Sequence, residues 1–182
     1  MRNWLLLHSL GAAMMLLASV ASADPALKPG SPLDLSGMPS VGGGKFEASA
    51  LPHRAFLVFA SNRQNADQTR RWGDAIGARF KDKLAKWTEE RGEPILIVPV
   101  LDLSSARFMP QSVVAGLVKM MGGGNDVLLD WKGVVSQQVG APSSDAAVIL
   151  IGPDLKVQSI VTGEYSPAAA TPLFAALEAD AK

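Results

Sequence analysis

Two uninterrupted apolar runs stand out in the pattern of hydrophobic and polar positions. Residues 55–60 (AFLVFA) and 95–101 (ILIVPVL) carry no charged or polar side chain. Runs of this length are typical of buried strands, and the first is expected to lie centrally in a sheet with both faces covered. The segment between them places apolar residues at spacings of four, four, four and three, namely Trp72, Ile76, Phe80, Leu84 and Trp87. This stripe predicts a helix ending by Arg91–Gly92, and the strand, helix, strand order predicts a parallel strand pair.

The remaining pattern predicts shorter elements. We expect a helix over residues 110–121, a short strand at 127–129, a helix capped by Asp130 and ending at Val139, and a C-terminal helix over 167–181. Residues 146–151 and 157–161 should form an antiparallel hairpin. Gly73 and Gly77 interrupt the first helix at a cost of about 1 kcal/mol each relative to alanine. Close packing against the sheet is the expected compensation, with a flexible or bent helix start as the alternative.

The first 23 residues predict a cleavable signal peptide. Arg2 supplies a positive charge, residues 4–20 are largely apolar, and residues 21–23 (ASA) have the small side chains that signal peptidase requires. We therefore expect cleavage after Ala23. The alternative, a membrane anchor, is less favoured because the run is short for a bilayer and a processing site follows it at once. No membrane association is expected after cleavage.

The composition of the mature chain indicates its domain organisation and excludes some kinds of chemistry. Residues 24–44 are rich in proline and glycine and predict an irregular N-terminal arm ahead of one domain over 45–182. Without Arg2 the chain keeps 16 of its 17 basic residues against 17 acidic ones, a net charge of −1, which gives no indication of a nucleic-acid partner. The sequence contains no cysteine. Disulfides, thiolate nucleophiles and thiolate metal sites are thereby excluded.

The order of elements resembles a thioredoxin-like α/β domain, a three-layer fold with a mixed central sheet and helices on both faces. Residues 44–51 (GKFEASAL) resemble the turn and strand ahead of the central strand in exported thioredoxin-like and peroxiredoxin-like proteins. Residues 147–157 (AVILIGPDLKV) resemble their hairpin, and residues 126–134 (DVLLDWKGV) are similar to a segment of the small periplasmic YtfJ type. The resemblance covers roughly residues 45–180. It implies a periplasmic location, and it supports the fold better than any function.

The departures from that family carry the functional prediction. Thioredoxin-like catalysis uses a cysteine at the start of the helix after the central strand, where the helix dipole stabilises the thiolate. Residues 63–67 (RQNAD) occupy this place, so we expect neither thiol reductase nor peroxidase activity. The family's proline before the hairpin would fall near Asp145 or Ala146, and Pro142 stands a few residues too early.

The polar stretch after the central strand is the candidate site. Open sheets of this kind bind ligands at the carboxyl ends of parallel strands, and backbone amides at a helix start favour an anion. A simpler role for Asn65 or Asp67 is to cap the helix, and Arg70 and Arg71 add positive charge nearby. The predicted partner-binding residues are Asn62, Arg63, Gln64, Asn65, Asp67 and Asp145.

Other candidate chemistry is weaker. His53 is the one histidine of the mature chain and is interpreted as a loop residue. Asp102, Asp126 and Asp130 lack the spacing of a calcium loop, and the serines lack a nucleophile elbow, so no catalytic residue, metal or cofactor is predicted.

Two functional hypotheses follow. The first is a redox-inactive binding module that holds a peptide or another protein of the cell envelope. The second is an enzyme with cysteine-independent chemistry, which needs Asp67, Asp102 and Asp145 to converge in one pocket. We favour the first. The sequence does not indicate an oligomeric state.

Overall fold

The computed structural model describes residues 27–47, 55–91, 96–121, 126–142 and 144–180. The predicted signal peptide and His53 lie outside the described residues. The strands are β1 (Phe56–Ser61), β2 (Leu96–Asp102), β3 (Leu128–Asp130), β4 (Ala147–Ile151) and β5 (Val157–Thr162). The helices are α1 (Ala66–Arg91), α2 (Gln111–Met121), α3 (Val134–Val139) and α4 (Pro167–Asp180), and a 3₁₀ turn lies at Ser104–Ala106.

The strands form one mixed sheet in the order β3-β2-β1-β4-β5. β1 pairs in parallel with β2, aligning Phe56 with Leu96, and β2 pairs in parallel with β3. β4 is antiparallel to β1 and to β5. The predicted parallel pair, the hairpin and the central place of the first apolar run are therefore confirmed.

Helices cover both faces of the sheet. On one face, α1 and α4 pack on β1, β4 and β5 through Trp72, Phe80 and Leu173, all of which are almost fully buried. α2 lies over β2 and β3 on that face, where Val114 and Val118 contact Leu129. α3 packs on the opposite face through Val135 and Val139. The predicted packing of Trp72, Ile76 and Phe80 is confirmed, whereas the side chains of Leu84 and Trp87 lie outside the described residues.

The N-terminal segment is irregular, as its composition indicates, but it is also part of the core. Leu27, Leu35 and Met38 are buried with α3 against the sheet. The segment also hydrogen-bonds to both outer strands. The Gly30 amide donates to the Val157 carbonyl on β5 at 2.7 Å, and the Leu129 amide on β3 donates to the Pro39 carbonyl at 2.8 Å. Covering an edge in this way hides backbone groups that would otherwise be open to pairing with another chain.

The open space around the two glycines of α1 contradicts one prediction. A Cβ added at Gly73 or Gly77 would meet no heavy atom within 4 Å. Close approach to the sheet therefore does not explain them, and the expected compensation is wrong. No helix in the described part of the chain is long and apolar enough to span a bilayer.

Candidate functional site

The loop between β1 and α1 lies where the sequence places the candidate site. β1, β2 and β3 are parallel, so the loops that follow Ser61, Asp102 and Asp130 leave the sheet at one common edge. Residues 62–65 turn the chain from β1 into the start of α1 at Ala66.

Two asparagines hold this loop in shape. The Asn62 amide donates to Asn65 Oδ1 at 2.7 Å, while the amides of Gln64 and Asn65 donate to Asn62 Oδ1 at 2.7 and 3.2 Å. Asn65 is only 3% exposed. Asparagine side chains stabilise turns through such bonds. The amides of residues 62, 64 and 65 therefore have acceptors within the loop itself.

The exposed side chains of the loop and of the first turn of α1 include charged and polar groups. Arg63, Gln64 and Asp67 are all exposed. Asp67 accepts a hydrogen bond from Arg70 at 3.1 Å, with both side chains more than two-thirds exposed. An ion pair so open to water adds little stability. These groups are consequently available to a partner.

The backbone around Asp145 is tied to the start of α1 by a residue that sequence reasoning missed. Gln68, in the first turn of α1, accepts from the Ala146 amide at 2.8 Å through Oε1 and donates to the Ser144 carbonyl at 3.3 Å through Nε2. Its side chain thereby ties the segment before β4 to the start of α1. Asp145 lies between those two contacts and accepts from the Ser144 hydroxyl at 3.2 Å. No periodicity or motif distinguishes Gln68 from any other polar helix residue.

Gly163, the residue that follows β5, hydrogen-bonds to the same segment before β4. The Gly163 amide donates to the Ala146 carbonyl at 2.8 Å, and Trp72 Nε1 donates to the Gly163 carbonyl at 2.9 Å. Gly163 has φ +78°, and a Cβ there would lie 3.4 Å from Asp145 Oδ2. A side chain at Gly163 would be strained by this positive φ and would lie in contact with that carboxylate.

The carboxylates that an enzyme would need are engaged separately. Asp102 accepts from the Ser104 amide at 2.8 Å and from the Ser136 hydroxyl at 3.0 Å. Asp67 is bonded to Arg70, and Asp145 to Ser144. In the described part of the chain, the three share no hydrogen bond and no common partner. Within the described ranges no group of three or more histidine, aspartate or glutamate side chains is placed to hold a metal ion.

Asp126 and Asp130 have structural contacts. Asp130, the last residue of β3, is 2% exposed and accepts from the amides of Lys132 at 3.2 Å and Val135 at 2.9 Å. It therefore supports the first turn of α3, but it does not occupy the N-cap position that the sequence predicts for it. Gly133, with φ 66°, occupies the N-cap position itself. Asp126 accepts from the Gly42 amide at 2.9 Å.

Two cavities open away from the predicted site. One of about 370 Å³ lies between residues 34–39 and the turn at 130–134, and Gln111 also lines it. In its wall the Ser36 amide, at 2.9 Å, and the Ser36 hydroxyl hold the pKa of Asp34 below its ordinary value. The other, of about 410 Å³, runs along β5 beside residues 27–29 and Pro172. Neither is lined by a predicted site residue.

Comparison with known proteins identifies the fold class. No protein-family model matches the chain, and no curated protein sequence matches it. Among solved structures, it is similar to a thiol:disulfide interchange protein DsbE from Chlorobium tepidum, with a TM-score of 0.57 and 15% identity over 86% of this chain and 99% of the other. It is also similar to a protein disulfide isomerase from Bacteroides thetaiotaomicron, with a TM-score of 0.54 and 12% identity over 84% and 89% of the two chains.

A hypothetical protein from Sinorhizobium meliloti 1021 gives a TM-score of 0.53 with 18% identity over 85% of each chain. Together with the five-stranded sheet, these similarities show that the protein has a thioredoxin-like fold, as predicted. It carries that fold without a single cysteine.

Proposed function

We propose that this protein is an exported, redox-inactive thioredoxin-like module, similar to the periplasmic YtfJ type, that binds a peptide or another protein of the cell envelope. The observation that carries the proposal is the loop between β1 and α1. It presents amide, guanidinium and carboxylate groups at the position where thioredoxin-like enzymes keep their thiolate. Thiol–disulfide exchange requires sulfur on the attacking group, and none of these groups supplies it.

The contacts of the loop support recognition of a partner. The asparagine bonds fix the shape of the loop, and the Gln68 bridge ties the start of α1 to the segment before β4. Arg63, Gln64 and Asp67 extend from this region into solvent. A surface held rigid before binding loses less conformational entropy when a partner docks. The proposed binding surface comprises Asn62, Arg63, Gln64, Asp67 and Asp145. The sixth predicted residue, Asn65, is buried and shapes the loop beneath that surface.

The enzyme hypothesis has less support. Asp67, Asp102 and Asp145 form hydrogen bonds to different partners, and neither cavity brings them together. General acid–base catalysis needs groups within hydrogen-bond reach of one substrate.

The export part of the proposal rests on the sequence of residues 1–23. Protein purified from the envelope fraction should begin at Asp24 by N-terminal sequencing. Retention of Met1 on that protein would contradict cleavage.

The binding proposal is tested by proximity labelling in the native envelope, followed by affinity measurement with each purified candidate. Arg63→Glu combined with Asp67→Ala should weaken binding by at least about fivefold, since a hot-spot contact contributes about 1 kcal/mol or more. The matched control is Lys156→Glu with Asp154→Ala, an exposed ion pair in the turn between β4 and β5. Equal loss in both double variants, or no loss in either, would place binding elsewhere.

Redox activity is checked separately. Disulfide reductase and peroxidase assays of the purified protein should give only the rate measured in buffer. A rate above that background, retained after repeated purification, would overturn the redox-inactive part of the proposal.

A further inference from the structure

A patch of large apolar side chains is exposed at the start of α2. Phe108 is 86% exposed, Met109 46%, Val113 50% and Leu117 44%. Single exposed apolar residues are ordinary, but four large ones within residues 108–117 indicate an interaction surface. We call these four residues the α2 patch.

Part of the α2 patch lies on the helix itself. Val113 and Leu117 are four residues apart, which places them on one side of α2 at about 6 Å along its axis, and Phe108 and Met109 stand just before the helix begins at Gln111. Val114 and Val118 are buried against Leu129 and hold the helix to the sheet. The exposed stripe is therefore separate from the residues that anchor α2. A stripe with this spacing suits the apolar face of another helix.

The charge beside the α2 patch is positive. Residues 103–118 contain Arg107 and no acidic residue. The Arg107 guanidinium lies 5.2 Å from the centre of the Phe108 ring, so a cation borders the most exposed side chain of the group. The first turn of α2 also lacks an acidic residue to offset the positive end of the helix dipole. A partner that places carboxylates here gains attraction from both sources.

We propose that the α2 patch binds an acidic amphipathic helical segment of another protein. Two copies of this chain packed patch to patch would offer Arg107 no carboxylate from residues 103–118 of the other copy. An anionic lipid surface gains about 1 kcal/mol from each nearby basic residue, and Arg107 alone gives weak attachment. Charge complementarity thus favours the acidic helix over both. The inference concerns a surface different from the Asn62 to Asp67 loop and does not depend on the function proposed for that loop.

The test uses purified protein and a displayed library of helical 16-residue peptides whose surface positions are randomised. Retained peptides should share an apolar stripe at four-residue spacing and carry net negative charge. Phe108→Ser and, separately, Leu117→Gln should each weaken the best peptide by at least tenfold in fluorescence anisotropy. Arg107→Glu should weaken it by a similar factor while leaving the apolar residues intact.

The matched control is Leu155→Gln, an exposed leucine in the turn between β4 and β5, which should leave peptide affinity unchanged. Selection of neutral or basic peptides, no retention above background, or equal binding by the Phe108→Ser variant would overturn the inference. Dimerisation of the unaltered protein in analytical ultracentrifugation would also overturn it, if Phe108→Ser abolishes that dimerisation. Binding of the unaltered protein to vesicles of phosphatidylglycerol and phosphatidylethanolamine would do the same, if Phe108→Ser abolishes that binding.

Discussion

Gln68 is the residue that unites the candidate surface. The oxygen of its side-chain amide accepts from the Ala146 backbone amide, and the nitrogen donates to the Ser144 carbonyl. Ala146 is fully buried, so its backbone amide has no access to water if that acceptor is removed. The position of Asp145 beside the start of α1 therefore depends on one side chain in a neighbouring element.

Gln68→Ala should lower the free energy of unfolding by about 1–3 kcal/mol, because it leaves a buried donor without its acceptor. Gln68→Glu keeps an oxygen for the Ala146 amide but cannot donate to the Ser144 carbonyl when ionised, so its loss should be smaller. Denaturant unfolding measures both. Gln64→Ala, at an exposed position in the preceding loop, should change stability by less than about 0.5 kcal/mol. Equal values for Gln68→Ala and Gln64→Ala would show that the bridge is not formed.

α1 combines a well-packed face with an open one. Phe80 is almost fully buried and meets the Phe174 ring edge-on at 5.4 Å between ring centres. Gly77 is exposed, and an added Cβ there touches nothing. The same helix thus contains a side chain that the fold needs and a glycine for which packing offers no reason.

Substitutions on the two faces of α1 should act in opposite directions. Phe80→Ala should cost about 3–5 kcal/mol through lost burial and the cavity it leaves. Gly77→Ala should stabilise the protein by about 0.5–1 kcal/mol, because alanine has less backbone freedom to lose on folding and finds open space. Both values come from chemical denaturation under the same conditions. A loss below about 1 kcal/mol for Phe80→Ala, or destabilisation by Gly77→Ala, would mean that α1 is packed differently.

The N-terminal segment is part of the folded domain. Leu35 is 3% exposed and belongs to the core beneath the sheet together with Met38 and Val135. Backbone bonds from the same segment reach both edge strands. Its removal would uncover apolar side chains and strand edges at once.

Leu35→Ala should cost about 2–5 kcal/mol, the range for a buried leucine. The same substitution at Leu117, which is 44% exposed, should cost less than about 1 kcal/mol. Thermal and urea unfolding report both effects. Matching small losses would show that residues 27–47 add nothing to the core and that the segment acts only as a tether.

Sequence pattern by itself predicted the main elements, the parallel pair β1–β2 and the β4–β5 hairpin, whereas the β2–β3 and β1–β4 pairings came from the structure. Continuous apolar runs predict strands buried on both faces, and four-residue periodicity predicts the helix between them, because these signals depend on near neighbours in the chain. The absence of cysteine excludes thiolate chemistry, and this follows from the sequence without any coordinates.

The tertiary structure decided what depends on distant residues. Only the fold places Gln68 against Ala146, buries Leu35 of a proline-rich and glycine-rich segment, and leaves open space around Gly77. Only the fold shows that Val113 and Leu117 face solvent whereas Val114 and Val118 face the sheet. All four are apolar helix residues, so their sequence does not distinguish them. Burial and hydrogen bonding are properties of contacts between segments far apart in the chain, and local pattern does not encode those contacts.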